Sequence, residues 1–406
     1  MDKIKLELPT RKLRFPIGAL LFLSIVFHKV ILQATPGNAE IAPVTAPVTT
    51  TGISPVQPAV TFAAYGDMPY VVKMPDGRTD DQVLSQDIAP KIRQRDDIPF
   101  VIHYGDLGRP EDACSDEWLQ KVQTFWQNEL IKPVFYTPGD NEWTDCDRPK
   151  LKNPKKETDR LQVLRKFFFS QPMTAKPEWR LNEIRRVLSK TPETGNLTSQ
   201  LQEIQKVFTK SPETFSKEWR YETQSTLPEN AIWSYNGVLF VTVHMVSTDN
   251  GRTEILLDDP VEAIKLVDER DKQNQIWLNR AFDLAKNSDT SAIVVTAQLD
   301  PFGAPIAQET SMSRCLSNLA YQVFCRQLQT LALGLNKPVL YLHGDTNLYC
   351  LDQPFDQAKN LWRLNAPGDF QYIDASIISV FPQNAAQPFK ATGLLSGKPA
   401  PDVCTQ

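Results

Sequence analysis

The sequence predicts a layered α/β protein, because apolar strand-like runs alternate with helical patterns along most of its 406 residues. Apolar residues make up 41% of the chain and charged residues 23%, which is typical of a globular protein rather than a disordered one. In addition, several strand-like runs end directly in the dipeptide Gly-Asp. The length suits one large domain or two smaller ones.

The strands and helices can be assigned in order from apolar periodicity and turn residues. The single strand-like runs are residues 61–65, 99–104, 133–137, 292–297, 338–343 and 371–380. Residues 231–245 predict a hairpin, because they contain Asn236-Gly237, the dipeptide that a type I′ turn prefers. The clearest helices are predicted at residues 260–286 and 313–335.

The N-terminus is typical of an export signal. A basic region precedes an apolar run at residues 17–27, which is shorter than the roughly 20 apolar residues of a membrane-spanning helix. Residues 1–34 are therefore interpreted as a signal peptide or a membrane anchor. Cleavage would follow Ala34 or Ala39, whereas an uncleaved segment at residues 16–34 would tether the protein to the membrane. Either alternative predicts an exported protein, periplasmic or secreted.

The segment of residues 35–60 is rich in Pro and Thr and predicts an extended linker, so the folded domain is expected at residues 61–406. Six cysteines in an exported chain favour disulfides, although their pairing is open among 15 possibilities and buried free thiols are the alternative. The candidates are Cys114, Cys146, Cys315, Cys325, Cys350 and Cys404. The net charge of −4 gives no basic surface for a nucleic acid partner.

A helical repeat is predicted as an insertion at about residues 155–225. Residues 161–174, 181–194 and 201–214 align at a constant period, and each copy carries apolar residues at helical spacing. The copies are interpreted as short helices that pack on one another at an edge of the domain. The alternative is that they form a surface for a protein partner.

Four Gly-Asp dipeptides follow apolar runs: Gly66-Asp67, Gly105-Asp106, Gly139-Asp140 and Gly344-Asp345. The carboxyl ends of strands in an α/β sheet open onto a crevice where ligands bind, and glycine allows the sharp turn. Carboxylates that converge there repel one another and need a cation. The alternative is ordinary punctuation between strands and loops. With only four histidines in the chain, a metal site built mainly from imidazoles is excluded.

The order and spacing of these motifs resemble the calcineurin-like metallophosphoesterases, a superfamily that includes the purple acid phosphatases. The resemblance spans about residues 60 to 350. Its motifs are Gly66-Asp67-Met68-Pro69, Gly105-Asp106-Leu107-Gly108, Gly139-Asp140-Asn141-Glu142, the strand end with Gln298, and Gly344-Asp345-Thr346-Asn347. It implies a four-layer α/β/β/α sandwich of two mixed sheets.

The resemblance also implies a hydrolase for phosphate esters with two divalent metal ions, such as Mn, Mg, Fe or Ca. Asp106 would bridge the two ions, while Asp67 and Asn347 would hold the first. The second ion would be held by Asp140, Asp345 and Gln298. A metal-bound hydroxide would then attack phosphorus.

The sequence departs from the family pattern wherever that pattern has histidine. Amides stand at Asn141, Gln298 and Asn347, and Asp345 also replaces a histidine. Oxygen ligands suit harder ions such as Mg, Ca or Mn. Because Asn141 cannot act as a general acid, His244 or His343 is a candidate for that role, and the alternative for each is a hydrogen-bonded strand histidine.

Loops after neighbouring strand ends come close together in this family fold, which favours a disulfide between Cys114 and Cys146. The leading functional hypothesis is an exported, metal-dependent phosphoesterase. The alternative is a catalytically degenerate member that keeps the fold and acts as a binding or interaction module. A third hypothesis is an interaction protein that acts through the helical repeats.

Overall fold

The structure is a computed structural model that describes residues 57–170, 202, 219–303, 311–346, 348–368, 370 and 372–404. The predicted signal or anchor segment lies outside the described residues, as do the linker up to residue 56 and most of the helical repeat. Within the described residues, no helix is both long enough and apolar enough to cross a membrane.

The described residues form twelve strands and eight α-helices. The strands are β1 (Val60–Tyr65), β2 (Val101–His103), β3 (Val134–Tyr136), β4 (Glu222–Thr223), β5 (Ala231–Tyr235), β6 (Val238–Thr242), β7 (Ala292–Thr296), β8 (Val339–His343), β9 (Cys350–Asp352), β10 (Leu361–Asn365), β11 (Ser376–Val380) and β12 (Phe389–Gly393). The helices are α1 (Asp80–Val83), α2 (Ala89–Gln94), α3 (Pro110–Ala113), α4 (Asp116–Phe125), α5 (Glu157–Phe168), α6 (Pro260–Ala285), α7 (Ser311–Ser317) and α8 (Gln322–Leu335).

Four further segments are helical turns that are not right-handed α-helices. Leu84–Ile88 and Trp126–Leu130 form π-helical turns that continue α1 and α4, and Thr144–Asp147 forms a 3₁₀ turn. Ser247–Gly251 is a left-handed turn, because Thr248 and the two residues after it have φ between 52° and 59°.

The fold is a mixed α/β structure with two mixed sheets, which confirms the predicted class. The first sheet has the order β12-β11-β1-β2-β3, and β1, β2 and β3 are parallel. The second has the order β4-β5-β6-β7-β8-β10-β9, with β6, β7, β8 and β10 parallel. Three of the strands that precede Gly-Asp motifs, β1, β2 and β3, are therefore parallel neighbours in the first sheet, and the fourth, β8, lies in the second.

Aromatic side chains of the two sheets pack against each other in one apolar core. Phe135 of β3 stacks on Trp233 of β5 with ring centroids 3.6 Å apart, and Phe62 of β1 meets Phe240 of β6 at 5.3 Å. Apolar residues of α6 and α8 pack on the second sheet, and those of α1 and α2 pack on the first. Aromatic pairs of this kind contribute about 0.5–1.5 kcal/mol each beyond the area that they bury.

Turn chemistry explains where elements begin and end. Asn236 and Gly237 have φ of 47° and 78°, as a type I′ turn requires, which confirms the predicted hairpin. The predicted helix at residues 313–335 is split into α7 and α8. The break occurs at Asn318, whose side chain accepts a hydrogen bond from the Ala320 N–H at 2.8 Å and so competes with the helical backbone pattern.

All six cysteines form disulfides: Cys114–Cys146, Cys315–Cys325 and Cys350–Cys404. The predicted Cys114–Cys146 pair is confirmed, and it joins the segments that follow β2 and β3. Three disulfides indicate an oxidising, exported environment, because the cytosol keeps thiols reduced.

Candidate functional site

Three of the four strand-end aspartates lie in unusual backbone geometry. Asp67, Asp106 and Asp345 have φ of 50°, 54° and 70°, a left-handed region that Asp tolerates better than most residues. The glycines beside them allow close approach. A Cβ atom at Gly139 would overlap Asp106 Oδ1 and lie 2.5 Å from the Asp106 backbone nitrogen. The Gly-Asp pattern therefore has a steric basis as well as a chemical one.

Gln298, after β7, joins three of the carboxylates. Its Nε2 lies 3.0 Å from Asp140 Oδ1, 3.2 Å from Asp345 Oδ1 and 3.5 Å from Asp106 Oδ2. Asp67 connects to the same group, because its Oδ1 accepts from the backbone N–H of Asp345 at 2.9 Å. The structure thus brings four predicted aspartates and Gln298 together, although β7 and β8 belong to the second sheet and the other three strands to the first.

The orientation of the Gln298 amide is fixed by Ser247. The backbone N–H of Ser247 donates to Gln298 Oε1 at 3.0 Å, so the oxygen faces Ser247 and the nitrogen faces the carboxylates. An amide nitrogen carries two protons and no formal charge. It can satisfy two of the three oxygens beside it and cannot neutralise any of the aspartates.

The carboxylates strongly perturb one another. Burial raises the pKa of Asp106 well above its ordinary value, and the nearby charges of Asp140 and Asp67 raise it further. Burial also raises the pKa of Asp345 well above its ordinary value, with Asp140 again the largest electrostatic contribution. Without a cation, Asp106 and Asp345 therefore hold a proton more tightly than isolated carboxyl groups do.

Glu142 supports the loops that carry the aspartates. Its Oε1 accepts from the backbone N–H of Leu107 at 2.8 Å, and its Oε2 accepts from that of Gly139 at 3.1 Å. Tyr136 donates to the same carboxylate at 3.1 Å. Burial raises the pKa of Glu142 to about 7, although its backbone hydrogen bonds oppose this. Glu142 thus links the loop after β2 to the loop after β3.

Asn141 lies beside the cluster as a hydrogen-bond donor. Its Nδ2 donates to the Gly108 carbonyl at 3.0 Å and to the Tyr70 hydroxyl at 3.3 Å, and its backbone N–H donates to Asp106 Oδ1 at 3.4 Å. The role near the reacting atoms that the resemblance implies for Asn141 stays a prediction. Its amide holds the loop and has no proton to transfer.

The two candidate general acids are buried and have other partners. His244 Nδ1 lies 2.7 Å from Glu229 Oε1, and the ring packs on Trp143. His343 Nδ1 lies 3.0 Å from the Gly344 carbonyl oxygen, and its Nε2 lies 3.9 Å from Asp300 Oδ1. Burial lowers the pKa of His244 to about 4. In the described parts of the chain, no hydrogen bond connects either ring to the four strand-end aspartates.

Sequence reasoning missed Tyr70 and Ser247. Tyr70 donates from its hydroxyl to Asp106 Oδ2 at 3.1 Å, and the Ser247 hydroxyl donates to Asp140 Oδ2. Tyr70 directly follows the first motif, three residues after Asp67, so its position in the sequence could have indicated a contact with the site. Ser247 begins the left-handed turn after β6, and no pattern in the sequence distinguishes it.

An aromatic and basic edge lies next to the cluster. Phe370 is exposed and lies 4.8 Å from the ring of Tyr70 between centroids. The guanidinium carbon of Arg109 lies 5.0 Å from the centroid of the Phe370 ring. Since Tyr70 contacts Asp106, this edge joins a cation and an exposed ring to the carboxylates.

The side chains at this site meet only some of the needs of a metal centre. Asn347 lies outside the described residues, so its role as a metal ligand stays a prediction. Among the residues that are described, no three His, Cys, Asp or Glu side chains are grouped so that they could hold a metal ion as they stand. The chemistry of the carboxylates suits a hard cation. The position of the Gln298 amide does not suit a metal ligand, because its oxygen is occupied by Ser247.

Comparison with known proteins adds no assignment, because the chain matches no protein-family model and no curated protein.

Proposed function

We propose that this chain is an exported, cation-dependent phosphoesterase with the four-layer calcineurin-like fold, and that its strand-end carboxylates form the reaction site. One observation carries the proposal: four aspartates from the ends of β1, β2, β3 and β8 converge, and one uncharged amide contacts three of them. Asp67, Asp106 and Asp140 are buried, and Asp345 is partly buried. Packing between the two sheets and helices on their other faces support the four-layer arrangement.

The charge of the site supports a cation. Gln298 can donate only two protons to three carboxylates. Burial, and then the unneutralised charges of neighbouring aspartates, raise the pKa values of Asp106 and Asp345. A hard divalent cation would remove that repulsion, and when bound it would polarise the phosphoryl oxygen and lower the pKa of water. Mg, Mn, Ca and Fe are the ions to test.

The number of cations stays a prediction. The resemblance implies two, with Gln298 holding the second. The amide orientation favours one cation at Asp67 and Asp106, because the Gln298 nitrogen lies on the side of Asp140 and Asp345. Metal analysis of the purified protein distinguishes these stoichiometries.

The residues around the cluster suggest which esters would be hydrolysed. Asn141 cannot protonate a leaving oxygen, and the buried histidines are held by other groups. Esters whose leaving group needs no proton, such as aryl phosphates, should therefore react faster than alkyl phosphates. Arg109 and Phe370 provide a cation and a ring at the edge of the site for a phosphate with an aromatic group.

The test is an assay of the purified protein with p-nitrophenyl phosphate and bis-p-nitrophenyl phosphate, each with Mn, Mg, Ca or Fe. We expect cation-dependent turnover that falls at least about 100-fold in Asp106→Asn, the scale of losing a transition-state interaction. Asp159→Asn is the matched control, because Asp159 is exposed on α5 and outside the site. No bound cation and no turnover with any of these ions would contradict the proposal.

A catalytically degenerate binding module is the second candidate, and the Gln298 arrangement favours it. An amide that fills the space between carboxylates resembles a replacement for a metal rather than a ligand for one. This candidate predicts that a phosphate ester binds, measured by calorimetry, without hydrolysis under any ion. Turnover that disappears in Asp106→Asn and persists in Asp159→Asn would exclude it.

A further inference from the structure

A second cavity lies beside the carboxylate site, on the outer side of the first sheet. Its volume is about 460 Å³, within the range of small-molecule sites. The cavity is lined by α4, by the two π-helical turns and by the ends of β1 and β2. The aromatic side chains that line it are Tyr65, Trp118, Phe125 and Trp126.

The polar atoms on the aromatic wall are already satisfied by the protein. Trp126 Nε1 donates to the Tyr65 hydroxyl at 2.7 Å, and Trp118 Nε1 donates to the Leu107 carbonyl at 2.7 Å. His103, which also lines the cavity, accepts from the Gly105 backbone N–H at Nδ1. Because these donors and acceptors are used, the wall offers mainly ring faces to a ligand.

The charges that line the cavity are mostly negative. Asp81, Glu117 and Glu129 oppose a single lysine, Lys121. That lysine is already paired, since its Nζ lies 3.5 Å from Asp81 Oδ2 and 4.4 Å from the centroid of the Trp118 ring. Glu117 and Glu129 are exposed, and neither has an ion pair among the described residues.

The cavity uses different side chains from the carboxylate site but adjoins it. Met68 and Leu107 line it, and they directly follow Asp67 and Asp106 in the chain. Because Trp118 holds the Leu107 carbonyl, a ligand against that ring also lies against the loop that positions Asp106. The two sites are therefore neighbours with separate linings.

We propose that this cavity is a binding site for a small organic cation with a flat aromatic body. The ring stacks among the Trp118, Phe125 and Trp126 side chains, and the positive charge lies toward Glu117 and Glu129. Cation–π contact and an excess of carboxylates both select a positive ligand over a negative one. This inference does not depend on the proposed phosphoesterase activity.

Proflavine, a flat tricyclic cation, is the probe, and 1-anilinonaphthalene-8-sulfonate is an aromatic anion for comparison. Fluorescence titration of the full chain should show proflavine binding at least about tenfold tighter than the anion. Ser85→Trp and Thr124→Trp each place a ring at the cavity without changing a charge. Either blocking variant that folds, judged by circular dichroism, should weaken proflavine binding at least about tenfold.

Charge is tested separately with the double variant Glu117→Gln and Glu129→Gln. It should weaken proflavine binding about three- to tenfold, a loss that shrinks as salt is added. Glu111→Gln is the matched control, because Glu111 is exposed on α3 and does not line the cavity. Absence of proflavine binding, equal binding of the anion, or unchanged binding in both folded blocking variants would overturn the proposal.

Discussion

Replacing Asp140 with Asn should stabilise the cation-free protein. The shapes match, and both hydrogen bonds can persist: Oδ1 still accepts from Gln298, while the new amide donates to the Ser247 hydroxyl, which turns to accept. The variant removes one charge from the cluster. Asp140 makes the largest electrostatic contribution to the raised pKa of both Asp106 and Asp345.

The size of the effect follows from the geometry around Gln298. Two oxygens that lie 3.0 and 3.2 Å from the same nitrogen are at most about 6 Å apart, where two charges at an effective dielectric of about 20 repel by about 3 kcal/mol. Because the pKa of Asp345 is raised, its tighter hold on a proton relieves part of this repulsion in the native protein. We therefore expect the free energy of unfolding to rise by about 1–3 kcal/mol at pH 8 in chelator.

The pH dependence gives a second observable. A carboxyl whose pKa is raised by folding keeps its proton in the native state and loses it on unfolding, so stability falls as pH rises above about 4. The variant should differ from the wild type most at pH 8 and converge with it near pH 4. Chemical unfolding in chelator at several pH values measures this, with Asp159→Asn as the surface control, expected within about 0.5 kcal/mol of the wild type.

A bound cation should reverse the effect of Asp140→Asn on stability. Saturating Mn²⁺ should raise the melting temperature of the wild type more than that of Asp140→Asn, because the wild-type cluster binds the ion with one more charge. A variant that is less stable than the wild type in chelator, or a stability difference that does not change between pH 4 and pH 8, would refute the reasoning about charge repulsion.

Three other perturbations have defined outcomes. Glu229→Gln should lower the free energy of unfolding by about 3–5 kcal/mol in urea at pH 7, because it breaks the buried contacts of Glu229 with Arg165 and His244. Burial alone would raise the pKa of Glu229, but those two partners lower it to about 2. The stability of the wild type should therefore fall as pH drops from about 4.5 to 2. Gly139→Ala should lower both the stability and the phosphoesterase rate, since the new Cβ overlaps Asp106. In the control Gly334→Ala, in α8, the new Cβ has no atom within 4 Å, and the free energy of unfolding should rise by about 0.5–1 kcal/mol. Cys114→Ser should lower the free energy of unfolding by about 2–4 kcal/mol in thermal unfolding, and it should reduce the cation affinity measured by calorimetry. Unchanged affinity would show that the disulfide does not support the loops after β2 and β3.

The strands, and the convergence of the three aspartates that follow β1, β2 and β3, could be predicted from the sequence for a physical reason. Apolar runs identify buried parallel strands, and parallel strands in one sheet end at the same edge. The residues that modulate the site could not be predicted from the sequence. Ser247 reaches Asp140 only because the chain turns left-handed after β6, and the orientation of Gln298 depends on that turn. Such contacts depend on tertiary placement that periodicity does not encode.

The disulfides and helix boundaries also divide into features that the sequence predicts and features that it does not. The pairing of Cys114 with Cys146 was predicted from the fold of the family that the motifs resemble, whereas the apolar pattern of residues 313–335 predicted one continuous helix. A single side-chain hydrogen bond at Asn318 ended it. Local competition between a side chain and the backbone is decided by about 1 kcal/mol, which is too little for a pattern of apolar residues to reveal.

The left-handed backbone of Asp67, Asp106 and Asp345 limits how the site can be dissected in the laboratory. An alanine scan would add about 1–2 kcal/mol of conformational strain at each position, and that loss would be mistaken for lost chemistry. Asparagine tolerates the same φ and matches the shape of the carboxylate, so it alters charge while leaving the backbone in place. The same positive φ constrains natural substitution, so these positions should exchange Asp for Asn or Gly far more readily than for any branched residue.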